Sequence, residues 1–228
     1  MNKQIDRIWR IIKTTLLIVI FLLVSEIKAQ TATPPAGSGT SGDPYRIATL
    51  NNLYWLSQTT SAWVAGKYFI QTADINASST SGWDGGAGFS PIGRDTEPTF
   101  FYANYNGNGH TINGLYINRP SNLNLGLFGT IANTTVQNLG VINVNINGGA
   151  NNVGGLVGVN RDSYITKCYS TGTITSNATN VGGIIGYNNE YCTVSNSYST
   201  ISIVNNSTYA NIGGLVGRNF DRSTVTNS

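Results

Sequence analysis

Apolar residues recur along the second half of the chain in short alternating runs separated by polar turns. Each run lies in or beside a glycine-rich string, which appears four times. Measured between equivalent glycines, from Gly126 to Gly213, the steps are 28, 28 and 31 residues. A period of this length is typical of solenoids, in which each repeat contacts only its neighbours. The strings are LGLFG at 125–129, VGGLVG at 153–158, VGGIIG at 181–186 and IGGLVG at 212–217.

Each repeat has room for short strands only. We expect one strand through the glycine string, a turn at an asparagine, and two more strands, as in ITKCYS at 165–170 and TGTITS at 171–176. Three strands in 28 residues leave no room for a helix. Successive coils can pair through parallel strands about 4.8 Å apart, with Ile, Leu and Val pointing inward at alternate positions. The pattern therefore predicts an all-β fold, a β-solenoid.

The chain ahead of the repeats divides into two segments. Residues 30–42 hold prolines and glycines without apolar periodicity, which predicts a flexible leader. Residues 43–118 are expected to form an N-terminal cap and the first coils, because an uncovered terminal coil exposes strand edges. One short amphipathic helix is predicted around Leu50–Leu56. Residues 119–228 hold the glycine repeats, and the strand that starts at Thr224 predicts a chain that stops inside a coil.

Residues 1–29 have the pattern of a secretory signal peptide. Basic residues precede an uncharged stretch, Thr14–Ser25, whose core Leu16–Val24 is wholly Leu, Ile, Val and Phe. Spanning a membrane takes roughly 20 apolar residues, and this run has about 12. We therefore expect cleavage after Ala29 and a mature chain that begins at Gln30 and is secreted or displayed at the cell surface. An uncleaved N-terminal anchor is the alternative.

Charge changes when that segment is removed. The segment holds five of the 13 basic and two of the 10 acidic residues, so the mature chain has eight of each and its formal net charge falls from +3 to zero. A surface for nucleic acid or anionic lipid is therefore not expected, and contact with the membrane is expected only through the signal peptide. Because apolar residues recur in every repeat, the composition favours a core over disorder.

Two kinds of side chain are expected to form columns along the stack. Asn160, Asn188 and Asn219 each fall seven residues after the first Val or Ile of a glycine string. Asparagine amides can bond to one another in a ladder, so we interpret this column as structural. Tyr169 and Tyr198 also align, which predicts stacked rings.

The two cysteines are predicted to be free thiols. Alignment of ITKCYS with VSNSYS at 194–199 places Cys168 opposite Ser197, which leaves Cys192 five residues away along the coil. Five extended residues span about 16 Å at roughly 3.3 Å each. Bridged cysteines have Cα atoms within about 7 Å, so a disulfide is not expected.

The recurring Gly-Leu-any-Gly string resembles the GLUG motif. Flanking segments agree as well, among them GTSGDPYRI at 39–47, GNGHTINGL at 107–115 and NLGVIN at 138–143, so the resemblance covers roughly Gly39 to the end. It implies a right-handed parallel β-helix on large exported bacterial proteins, including adhesin-like proteins and the non-catalytic regions of immunoglobulin A-directed metallopeptidases. It supplies no catalytic residue. The strings are Gly126 to Gly129, Gly155 to Gly158, Gly214 to Gly217 and, with Ile in place of Leu, Gly183 to Gly186.

Residues able to do chemistry are few. Of eight carboxylates in the mature chain, Asp162, Glu190 and Asp221 follow the asparagine column and could share a calcium ion if they lined one edge. Arginines at neighbouring positions favour solvated, neutralised turns instead. His110 is the only histidine, and Asn106 stands where the GLUG relatives usually have a carboxylate. We therefore expect no catalytic residue, metal or cofactor.

Trp83 and Asp84 are the candidate ligand contacts. Trp83 stands in a glycine-rich loop at 78–88, far from any apolar run, with Asp84 beside it. It could present a flat face to a sugar. The alternative is that Trp83 folds onto the cap.

Taken together, these features predict a secreted or cell-surface β-helical scaffold, non-enzymatic, that serves in adhesion or ligand display. Its expected partners are glycans or host and matrix surface proteins, and further domains are expected on the same chain. One alternative is a carbohydrate-active β-helix, which would be either a glycan-binding module or a lyase or hydrolase whose active residues lie outside this segment. A second alternative is a passive spacer in a larger exported protein.

Overall fold

The computed structural model describes residues 30–228 together with six residues near the N terminus. Those six are helical and belong to a unit of their own, separate from the compact unit Thr31–Ser228. The apolar stretch Leu16–Val24 of the expected signal peptide lies outside the described residues. The six residues are Gln4, Asp6, Arg7, Trp9, Arg10 and Lys13.

The unit Thr31–Ser228 is a parallel β-solenoid of about four turns with one α-helix near its N terminus. This confirms the predicted fold class. The helix is α1 (Leu50–Gln58), and three short 3₁₀ segments are Thr60–Ala62, Ser78–Gly82 and Asp84–Gly86. The strands are β1 (Tyr45–Ile47), β2 (Tyr68–Gln71), β3 (Ile75–Asn76), β4 (Asn104–Asn106), β5 (Thr111–Asn113), β6 (Tyr116–Arg119), β7 (Asn124–Leu125), β8 (Phe128–Ala132), β9 (Thr135–Gln137), β10 (Gly140–Gly148), β11 (Asn152–Gly154), β12 (Val157–Arg161), β13 (Tyr164–Thr166), β14 (Tyr169–Ser176), β15 (Asn180–Gly182), β16 (Ile185–Asn189), β17 (Thr193–Ser195), β18 (Tyr198–Asn205), β19 (Asn211–Gly213), β20 (Val216–Asn219) and β21 (Thr224–Thr226).

The strands stack into four parallel sheets, and each of the first three glycine repeats contributes one strand to each sheet. Sheet A has the order β1-β2-β4-β9-β13-β17-β21, and sheet B has β3-β5-β10-β14-β18 with β6 also beside β10. Sheet C is β8-β12-β16-β20, and sheet D is β7-β11-β15-β19. Equivalent residues of the glycine strings pair in register, for example Gly154 with Gly182 and Gly182 with Gly213, while β10 and β14 have one register shift between Val141 and Val144. The coils are therefore in register.

Four strands per repeat replace the three that the sequence predicted. The glycine string does not run through one strand, because the chain turns at Gly155-Leu156 and divides the string between β11 and β12. The expected turn at Asn160 was also misplaced, since Asn160 lies inside β12 and is fully buried. The corner follows at Asp162, which adopts a left-handed backbone with φ of 41°.

Inward-facing residues of successive coils form the core. In sheet A the column Phe69, Tyr105, Val136, Ile165 and Val194 is buried throughout, with each residue in register with the next. Their neighbours along each strand point outward and are mostly polar, as the two-residue strand period requires. The stack therefore has an apolar interior and polar outer faces.

The cap is built around α1. Thr49 caps its N terminus, because the Thr49 hydroxyl accepts from the Asn52 amide and the Asn52 side chain accepts from the Thr49 amide. Leu53 and Leu56 are fully buried, and the indole of Trp63 donates to the Leu56 carbonyl at 2.7 Å. The predicted helix is therefore present, and its apolar side packs on the core at the N-terminal end of the stack.

The segment 30–42, expected to be a flexible leader, is attached to the cap. The Asn52 side chain donates to the Thr33 carbonyl at 3.0 Å, and the Arg46 amide donates to the Ala36 carbonyl at 2.8 Å. These bonds occupy the edge of β1, which would otherwise remain unpaired. The lack of apolar periodicity did not predict this attachment, because the segment is held through its backbone carbonyls and not through apolar side chains.

The turn at 106–109 joins β4 to β5 without forming a hairpin. Strands β4 and β5 flank it, yet β4 pairs with β2 and β9 in sheet A, whereas β5 pairs with β3 and β10 in sheet B. The Asn106 carboxamide accepts from the amide of Asn108 at 2.9 Å and from the side chain of Asn138 at 3.0 Å. Asparagine at this position therefore joins neighbouring coils.

Candidate functional site

A loop on the outer side of sheet C creates a groove. Ile92 and Phe101 both pair in parallel with β8, so the chain runs along the edge of this strand before and after the loop. Residues 94–100 between them leave the sheet. Gly93 starts the departure with φ of 82°, where a side chain would collide with the Thr130 carbonyl oxygen. Only glycine suits this approach.

The groove between the loop and the sheet has a volume of about 290 Å³. Thr130, Val159 and Tyr187 form its floor and occupy one register column of sheet C. Asp95 and Phe100 contribute from the loop. The groove is also lined by Asn124, Arg161 and Asn189.

A polar network fixes the side of the groove that Arg161 forms. Arg161 makes a two-point ion pair with Glu190, with Nε to Oε2 at 3.1 Å and a terminal nitrogen to Oε1 at 2.6 Å. The Asn189 amide donates to Glu190 Oε1 at 2.9 Å, and the Tyr187 hydroxyl donates to Asn189 at 3.2 Å. The Arg161 guanidinium also lies 5.7 Å from the centre of the Phe100 ring. The Arg161 hydrogen bonds hold the pKa of Glu190 below its usual range, so this pair stays charged at neutral pH.

Asp95 supplies a half-buried carboxylate. Burial raises its pKa, while the backbone amides of Leu123 and Asn124 and the charge of Arg94 act in the opposite direction. The Asn124 side chain also donates to this carboxylate, which has two acceptor oxygens. Asp95 therefore provides the acceptor side of the groove, opposite in charge to Arg161.

A buried chain of asparagine amides ends at the groove floor. Each side-chain amide donates to the carboxamide oxygen one coil earlier, and the last one, from Asn124, donates to the Thr130 hydroxyl at 3.0 Å. All the bonds run in the same direction, and Asn124, Asn152 and Asn180 are buried. The preceding bonds are Asn211 to Asn180, Asn180 to Asn152 and Asn152 to Asn124, each 2.7 Å.

The asparagine column predicted from the sequence lies in sheet C. Asn160 donates to Asn188 at 2.7 Å, and Asn188 donates to Asn219 at 2.6 Å. The Asn160 carboxamide oxygen is buried and has no hydrogen-bond partner within the described residues. Left-handed backbone occurs at the following corner, at Asp162, Glu190 and Asp221, and not at the asparagines themselves.

Glycines of the repeat strings allow the backbones of neighbouring coils to approach closely. A Cβ on Gly158 would lie 2.7 Å from the Gly129 carbonyl oxygen, and one on Gly186 would lie 2.5 Å from the Val153 nitrogen. Neither glycine has a positive φ, so the constraint is space and not backbone conformation. The corresponding glycines Gly126, Gly129, Gly155, Gly183 and Gly217 are similarly crowded by backbone atoms, whereas a Cβ on Gly214, on the last coil, would have open space within 4 Å.

Trp83 does not present a face to solvent. Its side chain is only 9% exposed, and its ring packs against Tyr54 at 5.0 Å and Phe89 at 6.4 Å between ring centres. The structure therefore corrects the prediction of a ligand contact, because the apolar ring is used to fix the 78–88 segment on the cap. Asp84 is exposed and pairs with Arg119 at 2.7 Å.

The other candidate groups are dispersed. No group of three or more His, Cys, Asp or Glu side chains is placed to hold a metal ion in the part of the chain that the structure describes. His110 does have a carboxylate nearby, contrary to expectation, because Asp74 lies 3.4 Å from its Nδ1. Asp74 also accepts from the Thr111 amide at 2.7 Å, which lowers its pKa.

The cysteine and tyrosine predictions are confirmed. Cys168 and Cys192 are both buried free thiols. Burial raises the pKa of Cys168 to about 12. Tyr169 and Tyr198 stack with ring centres 5.2 Å apart and planes within 4° of parallel. Neither feature forms part of the groove.

Comparison with known proteins places these repeats in a family. The model of the family described as the GLUG motif matches residues 149–175 and 177–204, which hold two of the glycine strings. The chain is also 38% identical to halomucin of Haloquadratum walsbyi over 144 residues, which is 62% of this chain and 2% of halomucin.

The chain carries GLUG repeats.

One further relative and one solved structure are similar to this chain. The GLUG chain is 32% identical over 150 residues, 64% of its length, to a candidate Gly-rich membrane protein of Evansella cellulosilytica, of which it spans 17%. Its fold is similar to that of a candidate immunoglobulin A1 protease of Bacteroides ovatus, with a TM-score of 0.58 and 17% identity over 83% of this chain and 66% of the other. This second likeness shows the fold alone. The chain spans only a small part of its curated relatives.

Sequence reasoning missed the groove of this GLUG protein. Its residues come from a loop ahead of the repeats and from four different strands, so no local motif joins them. One signal was available: RDTEP at 94–98 places three charges within four residues of a chain that is 10% charged overall. The buried asparagine chain was also detectable, because an asparagine precedes each glycine string at 124, 152, 180 and 211.

Proposed function

We propose that this chain is the ligand-displaying part of an exported adhesive protein. The observation that carries the proposal is the groove formed by loop 94–100 on an otherwise regular stack. GLUG repeats in a parallel β-solenoid are typical of an extracellular repeat domain. Such a stack is a rigid scaffold with polar faces, and its specific contacts come from the side chains and loops that decorate it.

Export is part of the proposal. Four basic residues before the uncharged stretch Thr14–Ser25 support a signal peptide that ends near Ala29. The likeness to halomucin is in keeping with an extracellular setting. Among the described residues, none of the helices is both long enough and apolar enough to cross a membrane.

The scaffold acts by binding and not by catalysis in this proposal, with glycans or host and matrix surface proteins as partners. The Arg161–Glu190 pair and the Tyr187–Asn189 bond hold the groove side chains in fixed positions, which suits recognition. Further domains of the same chain complete the protein, because the matched relatives are far longer than this segment.

A glycan-binding module is the second candidate. The groove favours it, since it combines an aromatic ring from Phe100, a phenol from Tyr187 and a carboxylate from Asp95. Sugars present hydroxyl groups and apolar ring faces together, and they need both kinds of contact. The passive-spacer alternative assigns no role to these side chains.

The test is binding of the mature chain, Gln30–Ser228, to an array of glycans and matrix proteins. Three variants remove one tyrosine from each of three outer faces: Tyr164→Ala on sheet A, Tyr198→Ala on sheet B and Tyr187→Ala on sheet C. Tyr164 and Tyr198 are more than half exposed, so their loss leaves the core intact. A selective hit that one variant abolishes supports adhesion and identifies the face. Uniform silence contradicts the proposal and favours a spacer.

A further inference from the structure

The groove beside loop 94–100 contains an unused hydrogen-bond donor at its floor. The Thr130 hydroxyl accepts from the Asn124 amide, and its own proton has no acceptor among the described residues. Four amide bonds lead to it from Asn211, all in the same direction. Hydrogen bonds in a chain polarise one another, so this arrangement makes the Thr130 hydroxyl a stronger donor than an isolated threonine.

The walls carry complementary groups. The Asp95 carboxylate lines the groove and already accepts from the backbone amides of Leu123 and Asn124 and from the Asn124 side chain. A carboxylate has about four acceptor positions, so one remains for a ligand hydroxyl. Arg161 uses two of its three nitrogens on Glu190, and the third makes no hydrogen bond within the described chain. The groove therefore presents two donors and one carboxylate acceptor around one small volume.

Apolar surface lies between these polar groups. Phe100, Val159 and the ring of Tyr187 line the groove, and Phe100 is held in place beneath the Arg161 guanidinium. The volume of about 290 Å³ is just below the range of roughly 300–1,000 Å³ typical of small-molecule sites. This size suits one ring and excludes a long oligosaccharide lying inside it.

We propose that this groove binds a single neutral sugar unit, with Thr130 and Arg161 donating to its oxygens, Asp95 accepting from one of its hydroxyls, and Phe100 and Tyr187 contacting its apolar face. An anionic sugar would meet the Asp95 carboxylate at short range, whereas the charge of Arg161 is already neutralised by Glu190. The inference rests on the proposed adhesive function and names its ligand class and its site.

The experiment is a titration of the ¹⁵N-labelled mature chain with methyl glycosides of glucose, galactose, mannose and N-acetylglucosamine. Binding is monitored by the chemical shifts of the backbone amides that line the groove. Glucosamine and N-acetylneuraminic acid serve as charged probes. Thr130→Val and Asp95→Ala are each expected to weaken the binding of the best neutral glycoside about tenfold, since each removes hydrogen bonds to the ligand. Thr130→Ser keeps the hydroxyl and is expected to retain affinity. Thr173→Val, on the exposed face of sheet B, is the matched control and is expected to change nothing.

Thr130→Val also leaves the buried Asn124 amide without an acceptor, so its fold is checked by circular dichroism. Asp95→Ala and Thr130→Ser keep the test decisive if that variant unfolds. The proposal is overturned if no neutral glycoside shifts groove resonances, if Asp95→Ala binds as tightly as the parent, or if a charged probe binds equally well. If the array shows binding to proteins and to no glycan, the proposed sugar site is rejected and the proposed adhesive function is retained. A silent array would reject the adhesive function itself.

Discussion

Two positions of the sheet C asparagine ladder, Asn188 in its middle and Asn160 at one end, are expected to differ in their contribution to stability. Asn188→Ala removes the acceptor of the fully buried Asn160 amide and also a donor to Asn219. An unpaired buried donor costs about 1–3 kcal/mol, whereas the exposed Asn219 can bond to water. With the truncated side chain added, Asn188→Ala is expected to lower the free energy of unfolding by about 2–4 kcal/mol.

Asn160→Ala should be milder. It leaves the Asn188 oxygen unpaired, but it also removes the Asn160 oxygen, which already lacks a partner in the described structure. We expect a loss of about 1–2 kcal/mol, which separates the two variants by roughly 1–2 kcal/mol. The control is Asn113→Ala, which breaks a 3.0 Å bond from Asn143 on the exposed face of sheet B and should cost about 0.5 kcal/mol or less.

Urea unfolding followed by far-UV circular dichroism measures these differences. At an m-value of about 2 kcal/mol/M, the midpoints of Asn160→Ala and Asn188→Ala should differ by about 0.5–1 M. Equal midpoints for these two variants would refute the reasoning, because both truncate the same side chain in the same column. A large loss in the exposed Asn113→Ala variant would show that burial does not decide the outcome.

Three further predictions concern packing, pH and thiol reactivity. Gly158→Ala is expected to cost about 1–3 kcal/mol in urea unfolding, because its Cβ would lie 2.7 Å from a carbonyl oxygen, whereas Gly214→Ala, with open space, should be neutral. The ion pair of Glu190, whose pKa is held below its ordinary value of 4.5, contributes stability above that pH and loses it as the pH falls through the lowered value. Glu190→Gln should abolish that acid-side loss, and an unchanged pH profile would contradict it. Cys168 and Cys192 should stay unreactive towards a disulfide reagent in the native protein and react in guanidinium chloride, because burial raises the pKa of both thiols. Rapid native labelling would contradict this.

The fold could be predicted from the sequence because equivalent residues of successive repeats pair with one another. The 28-residue step between two glycine strings was enough to align Gly154 with Gly182 and Asn160 with Asn188, and the likeness of ITKCYS to VSNSYS aligned Tyr169 with Tyr198. The spacing did not predict the number of strands in each repeat. The bend at Gly155 and a continuous strand through the glycine string are both compatible with the same residues. The repeat period identifies the equivalent residues of successive coils. The path of the backbone within one coil depends on packing between the sheets, which the period does not reveal.

The groove could not be predicted for a different reason. Its parts lie up to 95 positions apart, from Asp95 to Asn189 and Glu190, and meet only because the coils stack. Trp83 misled the sequence interpretation because local polarity says nothing about distant aromatic partners such as Tyr54. Asp74 beside His110 was missed for the same reason, since their strands meet across 36 residues of chain.

In-register stacking also determines how the molecule would respond to mechanical force. The hydrogen bonds between coils run along the axis of the stack, so tension on its ends loads one layer of bonds after another. A coil that detaches releases a 28-residue repeat, which extends to about 90–100 Å from a rise of about 4.8 Å in the stack. Each coil is thus a stored length of chain, and a tether made of such coils would lengthen in steps under shear before its covalent backbone carried the load.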